Sequence, residues 1–162
     1  MVLLGLDFPV ELLKSASVAY IHYLSFMLCF GALVYERISL KTNPNKNEAI
    51  SMVVADIIYG IAGIALLISG IYRVIKFGQG SEFYIQNPIF WIKIVVFALV
   101  GSLSLYPTIT YILWAASLSK GNLPQVTEPL ASRLRLIVNV ELVGFALIPF
   151  LATLMARGVG LP

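Results

Sequence analysis

The stretch ISMVVADIIYGIAGIALLISGIYRVI (Ile50–Ile75) decides the fold, because its only charged side chains are Asp56 and Arg73. At a rise of about 1.5 Å per residue, a run of this length crosses the roughly 30 Å hydrocarbon core of a bilayer. Working outward, three more runs have the same character: Ser15–Tyr35, Ile89–Ala116 and Leu130–Ala156. None alternates apolar with polar residues as a membrane β-strand would. The sequence therefore predicts an all-α protein, an integral membrane four-helix bundle in one domain over residues 1–162, with helices over about 15–35, 50–75, 89–116 and 130–156.

The breaks between the runs carry turn and cap chemistry. KTNPNKNE (Lys41–Glu48) is a polar turn. KFGQGSEFYIQNP (Lys76–Pro88) reads as a glycine-containing loop ending in Asn87-Pro88, a helix start. SKGNLPQVTEP (Ser119–Pro129) ends in a second such start. Connections this short make successive helices antiparallel neighbours. The opening segment, residues 3–10, is expected to lie along the membrane interface.

Composition agrees. The 162 residues are 59% hydrophobic and 12% charged, with a mean hydropathy of +0.91. Soluble domains carry about 25% charged residues, so the polar coat a water-facing surface needs is missing. The net charge of +3 is spread over short loops, which points to membrane orientation and away from nucleic acid. The lone Cys29 lies in an apolar run and has no intrachain disulfide partner. The first ten residues lack a basic region and a cleavage site, so the first long helix is expected to act as the insertion signal.

Arg37, Lys41, Lys46, Lys120, Arg133 and Arg135 flank the first and third loops, against Lys14, Arg73, Lys76 and Arg157 on the other side. By the positive-inside tendency this places the first and third loops in the cytoplasm and both termini outside. The expected setting is a multi-pass protein of a bacterial-type inner or thylakoid membrane. The lipid bilayer is the expected partner, alongside other membrane subunits or a second copy of the chain.

Ionisable side chains inside the runs are the functional clues, since each costs roughly 2.5–3.5 kcal/mol to insert. They are His22, Asp56, Lys93 and Glu141, with Glu36 and Arg73 nearer the ends. His22 is expected about 10 Å into the first helix and Lys93 about 6 Å into the third. With antiparallel neighbours, His22, Arg73 and Lys93 then share one membrane face, and Asp56, Glu36 and Glu141 lie in the middle or toward the other. Helical phase puts His22, Cys29, Leu33 and Glu36 on one stripe, and Lys93, Phe97, Val100, Ser104 and Thr108 on another. A third, Asp56, Gly60, Gly63, Leu67 and Gly70, is expected to face protein through its glycines. Pro107 is expected to kink the third helix.

Plain structural readings stand beside these. Lys93 and Arg73 could snorkel to the interface. His22 could bond a neighbouring helix, Asp56 could pair with a cation or a backbone group, and Glu141 could bond Asn139. An aromatic belt accounts for most of the tyrosines and for Trp91 and Trp114. The sharper reading makes His22, Arg73 and Lys93 a site: an imidazole can ligate haem iron, and the cations could hold porphyrin propionates. With one histidine in the chain, bis-histidine ligation within a single copy is excluded. One His, one Cys and four Met show no dense spacing for zinc or copper.

The segment Asp56–Thr110, with its Y-G, S-G-x-Y-R, F-G-x-G, F-Y, N-P-x-F-W-x-K and S-x-Y-P-T elements, resembles an uncharacterised family of bacterial inner-membrane proteins, DUF2214. H-Y-L and G-A-L-x-x-E-R in the first helix fit the same family, so the likeness spans most of the chain. More distantly, the layout is similar to the flavin-free membrane protoporphyrinogen oxidase and to copper-resistance D-like proteins. That likeness implies haem b as cofactor with His22 as its iron ligand, Lys93 in a catalytic role and a cofactor-binding arginine, for which Arg37 and Arg73 compete. Trp91-Ile92-Lys93 has one intervening residue where the oxidase pattern has two. The leading expectation is thus a haem- or porphyrin-associated oxidoreductase. The alternatives are an accessory subunit of a larger membrane complex, and a small transporter or proton conductor using Asp56 and Glu141.

Overall fold

A computed structural model describes residues 9–160. Their elements are α1 (Val10–Ser39), α2 (Lys46–Tyr72) running on into a π-helical turn (Arg73–Phe77), α3 (Ser81–Gln86), α4 (Pro88–Ser119) and α5 (Glu128–Ala156). The four long helices are long and apolar enough to cross a membrane. α1 packs on α2, α2 on α4, α4 on α5 and α5 back on α1. The bundle is therefore a square of antiparallel neighbours in chain order, with α1 diagonal to α4 and α2 to α5.

Each long helix is longer than its hydrocarbon run. α1 has 30 residues, about 45 Å, enough to cross the headgroup regions as well. Hydropathy marks the lipid-immersed part, whereas the backbone stays helical until a cap ends it. At the start of α2 that cap is a capping box: Asn45 accepts from the Glu48 N–H at 3.0 Å while Glu48 accepts from the Asn45 N–H at 2.8 Å. Lys41 adds a 2.7 Å ion pair to Glu48. Asn87 caps α4 through the Ile89 N–H, with Pro88 at the first helical position. The loop before α4 also contains the short helix α3, which the glycine pattern did not reveal; Trp91 donates to the Ile85 carbonyl and ties α3 to α4. Residues 3–8 of the expected interfacial segment lie outside the described residues, and Val10 already begins α1.

Helix association in lipid draws on close packing rather than on burial from water. The outer faces remain apolar and exposed, as at Ile57, Ile61, Ile64, Leu113 and Leu136. Inside are two apolar clusters. One comprises Cys29, Ala32, Leu33, Tyr59, Ala62, Leu66, Val100, Val138 and Phe145. The other, nearer the first and third loops, comprises Leu40, Met52, Tyr111, Trp114, Val126, Ala131 and Leu134.

The expected inward stripes of α1 and α4 do face the core, with Cys29, Leu33, Glu36, Val100 and Ser104 buried. The expected stripe of α2 is displaced. Its buried face is Ala49, Met52, Ala55, Asp56, Tyr59, Ala62, Leu66 and Ser69, while Gly60 and Leu67 are exposed. Alanine and serine supply the close approach on α2. The intimate glycine is on α5: a Cβ on Gly144 would overlap the Val100 Cγ2 methyl. α4 carries Pro107 within one unbroken helix, as α5 carries Pro149.

Gly144→Ala is accordingly expected to lower stability by about 1–3 kcal/mol through overpacking, and Gly101→Ala, which meets open space, to have little effect. Unfolding in detergent, followed by circular dichroism, checks the pair.

Candidate functional site

Two polar regions interrupt the apolar interior. The first lies toward the end of the bundle where α1 begins. His22 is half-buried, and its Nδ1 lies 3.2 Å from the Leu66 carbonyl and 3.0 Å from Ser69 Oγ. A carbonyl only accepts, so Nδ1 carries the hydrogen. The Ser69 hydroxyl directs its own hydrogen to the Ala65 carbonyl at 2.6 Å, leaving its oxygen free to accept from the ring. In the neutral imidazole this assigns the lone pair to Nε2. Gly70 makes the approach possible, because a Cβ there would stand 3.2 Å from His22 Cε1.

Arg73 and Lys93 bring their charges to bear on the same imidazole. Both are half-buried. Arg73 stacks on the Tyr23 ring, 4.9 Å from its centroid, and Lys93 Nζ lies 5.4 Å from the Phe90 ring centroid. Among the described residues neither makes an ion pair. Three helices thus bring one imidazole and two cations together. Arg37, the rival arginine, is at the other end of α1 and donates to Asn139 Oδ1 at 2.6 Å, away from His22.

The second region lies toward the opposite end. Glu36 on α1, Asp56 on α2 and Glu141 on α5 are all buried, at 1%, 7% and 0% exposure, and their charges act on one another. Asp56 accepts from Thr108 Oγ1 on α4 at 2.7 Å. Glu141 has no partner on either carboxyl oxygen, and Glu36 Oε1 and the Tyr111 hydroxyl are also unpartnered among the described residues. Of the plain alternatives, Asp56 pairs with a neutral hydroxyl rather than a cation. The bond of Glu141 to Asn139 does not form, because two positions apart on α5 the buried Glu141 and the exposed Asn139 face opposite sides of the helix.

Sequence reading had placed His22, Arg73 and Lys93 at one face and the carboxyls away from it, and the helices put them there. It missed their immediate partners. Ser69 and Tyr111 are ordinary membrane-helix residues in sequence, whereas Gly70 lay on the α2 stripe expected to face protein and Thr108 on the polar phase of α4.

An all-helical bundle of four membrane-spanning helices around two interior polar regions defines an integral membrane protein. Over residues 14–160 the chain matches DUF2214, described as a predicted membrane protein. It belongs to that family. No curated protein and no solved structure shows significant similarity to it.

Side-chain hydrogen bonds between membrane helices average about 0.6 kcal/mol, with a maximum near ~1.7 kcal/mol. Thr108→Val is expected to cost stability in that range, because it leaves Asp56 without its donor, and Thr108→Ser to restore it. Reversible unfolding in mixed micelles measures both.

Proposed function

We propose that the chain is a haem- or porphyrin-associated membrane oxidoreductase whose site is His22 with Arg73 and Lys93. The observation that carries this reading is the Nδ1–H bond of His22 to a backbone carbonyl. Such a bond orients an imidazole and raises its basicity as a ligand, and here it leaves Nε2 without a protein partner among the described residues, at the end of the bundle that also carries Arg73 and Lys93. His22 would hold the iron through Nε2. Arg73 would hold an acidic group of a porphyrin through its guanidinium fork. Lys93 would hold a second acidic group and, in the catalytic role that the distant likeness to membrane protoporphyrinogen oxidase suggests, would hold or move a proton at Nζ. Bound haem b supplies one-electron chemistry. With a single histidine in the chain, a haem held here would be five-coordinate or would draw a further ligand from methionine, lysine or a second subunit. In this reading both termini and the His22 end lie outside the cytoplasm.

Protein expressed with ample haem and purified in mild detergent is expected to show a Soret band that shifts on reduction. His22→Ala abolishes it while helicity is retained. Arg73→Gln and Lys93→Gln each weaken haem affinity by about tenfold or more, the equivalent of one charge-assisted hydrogen bond. Folded wild-type protein without a Soret band overturns the proposal.

A further inference from the structure

The carboxyl region plays no part in the haem site; Glu36 and Asp56 lie between the two apolar clusters and Glu141 lies against the inner one. Along α1 the buried order is Leu33, Glu36, Leu40; along α2 it is Tyr59, Asp56, Met52. In each, a member of the inner cluster precedes the acid and a member of the cluster nearer the loops follows it. Glu141 sits on α5 between Val138 and Phe145, both of the inner cluster. Tyr111, 1% exposed, lies close enough to Glu36, Asp56 and Glu141 for their charges, when ionised, to act on it, and its hydroxyl has no partner among the described residues. An orphan donor among orphan acceptors is the arrangement that bridging water satisfies.

Charge balance narrows what the region holds. Among the described residues no cationic side chain pairs with these carboxyls. On α1, Arg37 is directed to Asn139. On α5, Arg133 reaches the Tyr106 hydroxyl at 3.4 Å and stacks over its ring. The remaining titratable neighbours are Cys29, which contacts the Tyr59 carbonyl, and Tyr59 itself, on which the Glu141 charge acts. α4 contributes only hydroxyls, from Ser104, Thr108 and Tyr111. Uncompensated carboxylates in a low-dielectric interior are prohibitively costly, so the charge is cancelled by protons or by a bound cation. Among the described residues no three His, Cys, Asp or Glu side chains converge closely enough to ligate a metal ion, which favours protons.

We propose that Glu36, Asp56 and Glu141, with Tyr111 and Thr108, form an internal hydrated proton-holding site of the membrane domain. Its route to water runs toward the first and third loops. There a cleft lined by Thr42, Asn43, Gln125, Val126, Thr127 and Glu128 is separated from the carboxyls by the Leu40–Met52–Val126–Leu134 cluster, and Val126 belongs to both.

Infrared spectroscopy of the full chain in liposomes near neutral pH tests this. The expected spectrum has a carboxylic acid C=O stretch that moves down on transfer to D2O and is unaltered when sodium or potassium chloride replaces choline chloride. Glu141→Gln and Glu36→Gln each remove a component, and the exposed Glu128→Gln removes none. Asp56→Asn, which keeps an oxygen to accept from Thr108, supplies a further variant should either glutamate change prevent folding. Three results overturn the proposal: no carboxylic acid band in folded wild-type protein, a band untouched by all three core substitutions, or a band that disappears with added sodium or potassium, which would make the region a cation site.

Discussion

In lipid, no polar group can turn to water, and every other feature of this chain follows from that constraint. It forces the backbone into helices, whose hydrogen bonds are internal. It then forces each polar side chain placed within a helix to face protein, to reach the interface or to find a partner. Asn45 and Asn87 answer it at helix starts by capping. Ser17, Ser102, Thr110 and Thr153 answer it by bonding a carbonyl of their own helix, four residues back. His22 answers it by crossing to α2.

The two interior polar regions differ in how fully the constraint is met. Around His22 the protein supplies a carbonyl and a hydroxyl for one ring nitrogen and leaves the other available at a half-buried position. The cations stack on aromatic faces, which hold them without neutralising them. Around Glu141 the surroundings are closed, and the protein supplies nothing to either carboxyl oxygen. The first arrangement suits recognition of an acidic ligand approaching from one end of the bundle. The second suits protons and water, the smallest species that can enter between two apolar clusters.

Packing accounts for why the regions are separate. The inner apolar cluster, built on Cys29, Leu33, Tyr59, Val100 and Phe145, occupies the middle of the bundle. Phe145 packs against Phe26 at 5.5 Å and Tyr59 at 6.1 Å between ring centroids, so aromatic bulk stands between His22 and the carboxyls. Gly144 brings α5 close to Val100 of α4 at the same level.

Sequence alone determined the number of membrane-crossing helices, their antiparallel order and the separation of His22, Arg73 and Lys93 from the three carboxyls. Run length, short loops and a 1.5 Å rise are enough for that, because a membrane leaves a helix few other ways to lie. The inward faces of α1 and α4 were legible for the same reason: their polar positions recur at helical phase. On α2 the glycine stripe was only partly right: Asp56 and Gly70 face protein, but a small residue permits close approach without compelling it, and Gly60 is exposed while the neighbouring helices pack on Ala55 and Ala62. Only the tertiary structure could decide which Nδ1 partner fixes the His22 ring, that Arg37 reaches Asn139 on α5, and that the Tyr111 hydroxyl is buried without a partner among the described residues. Those outcomes depend on the rotation and height of one helix against another, which are set by side chains from segments far apart in the chain.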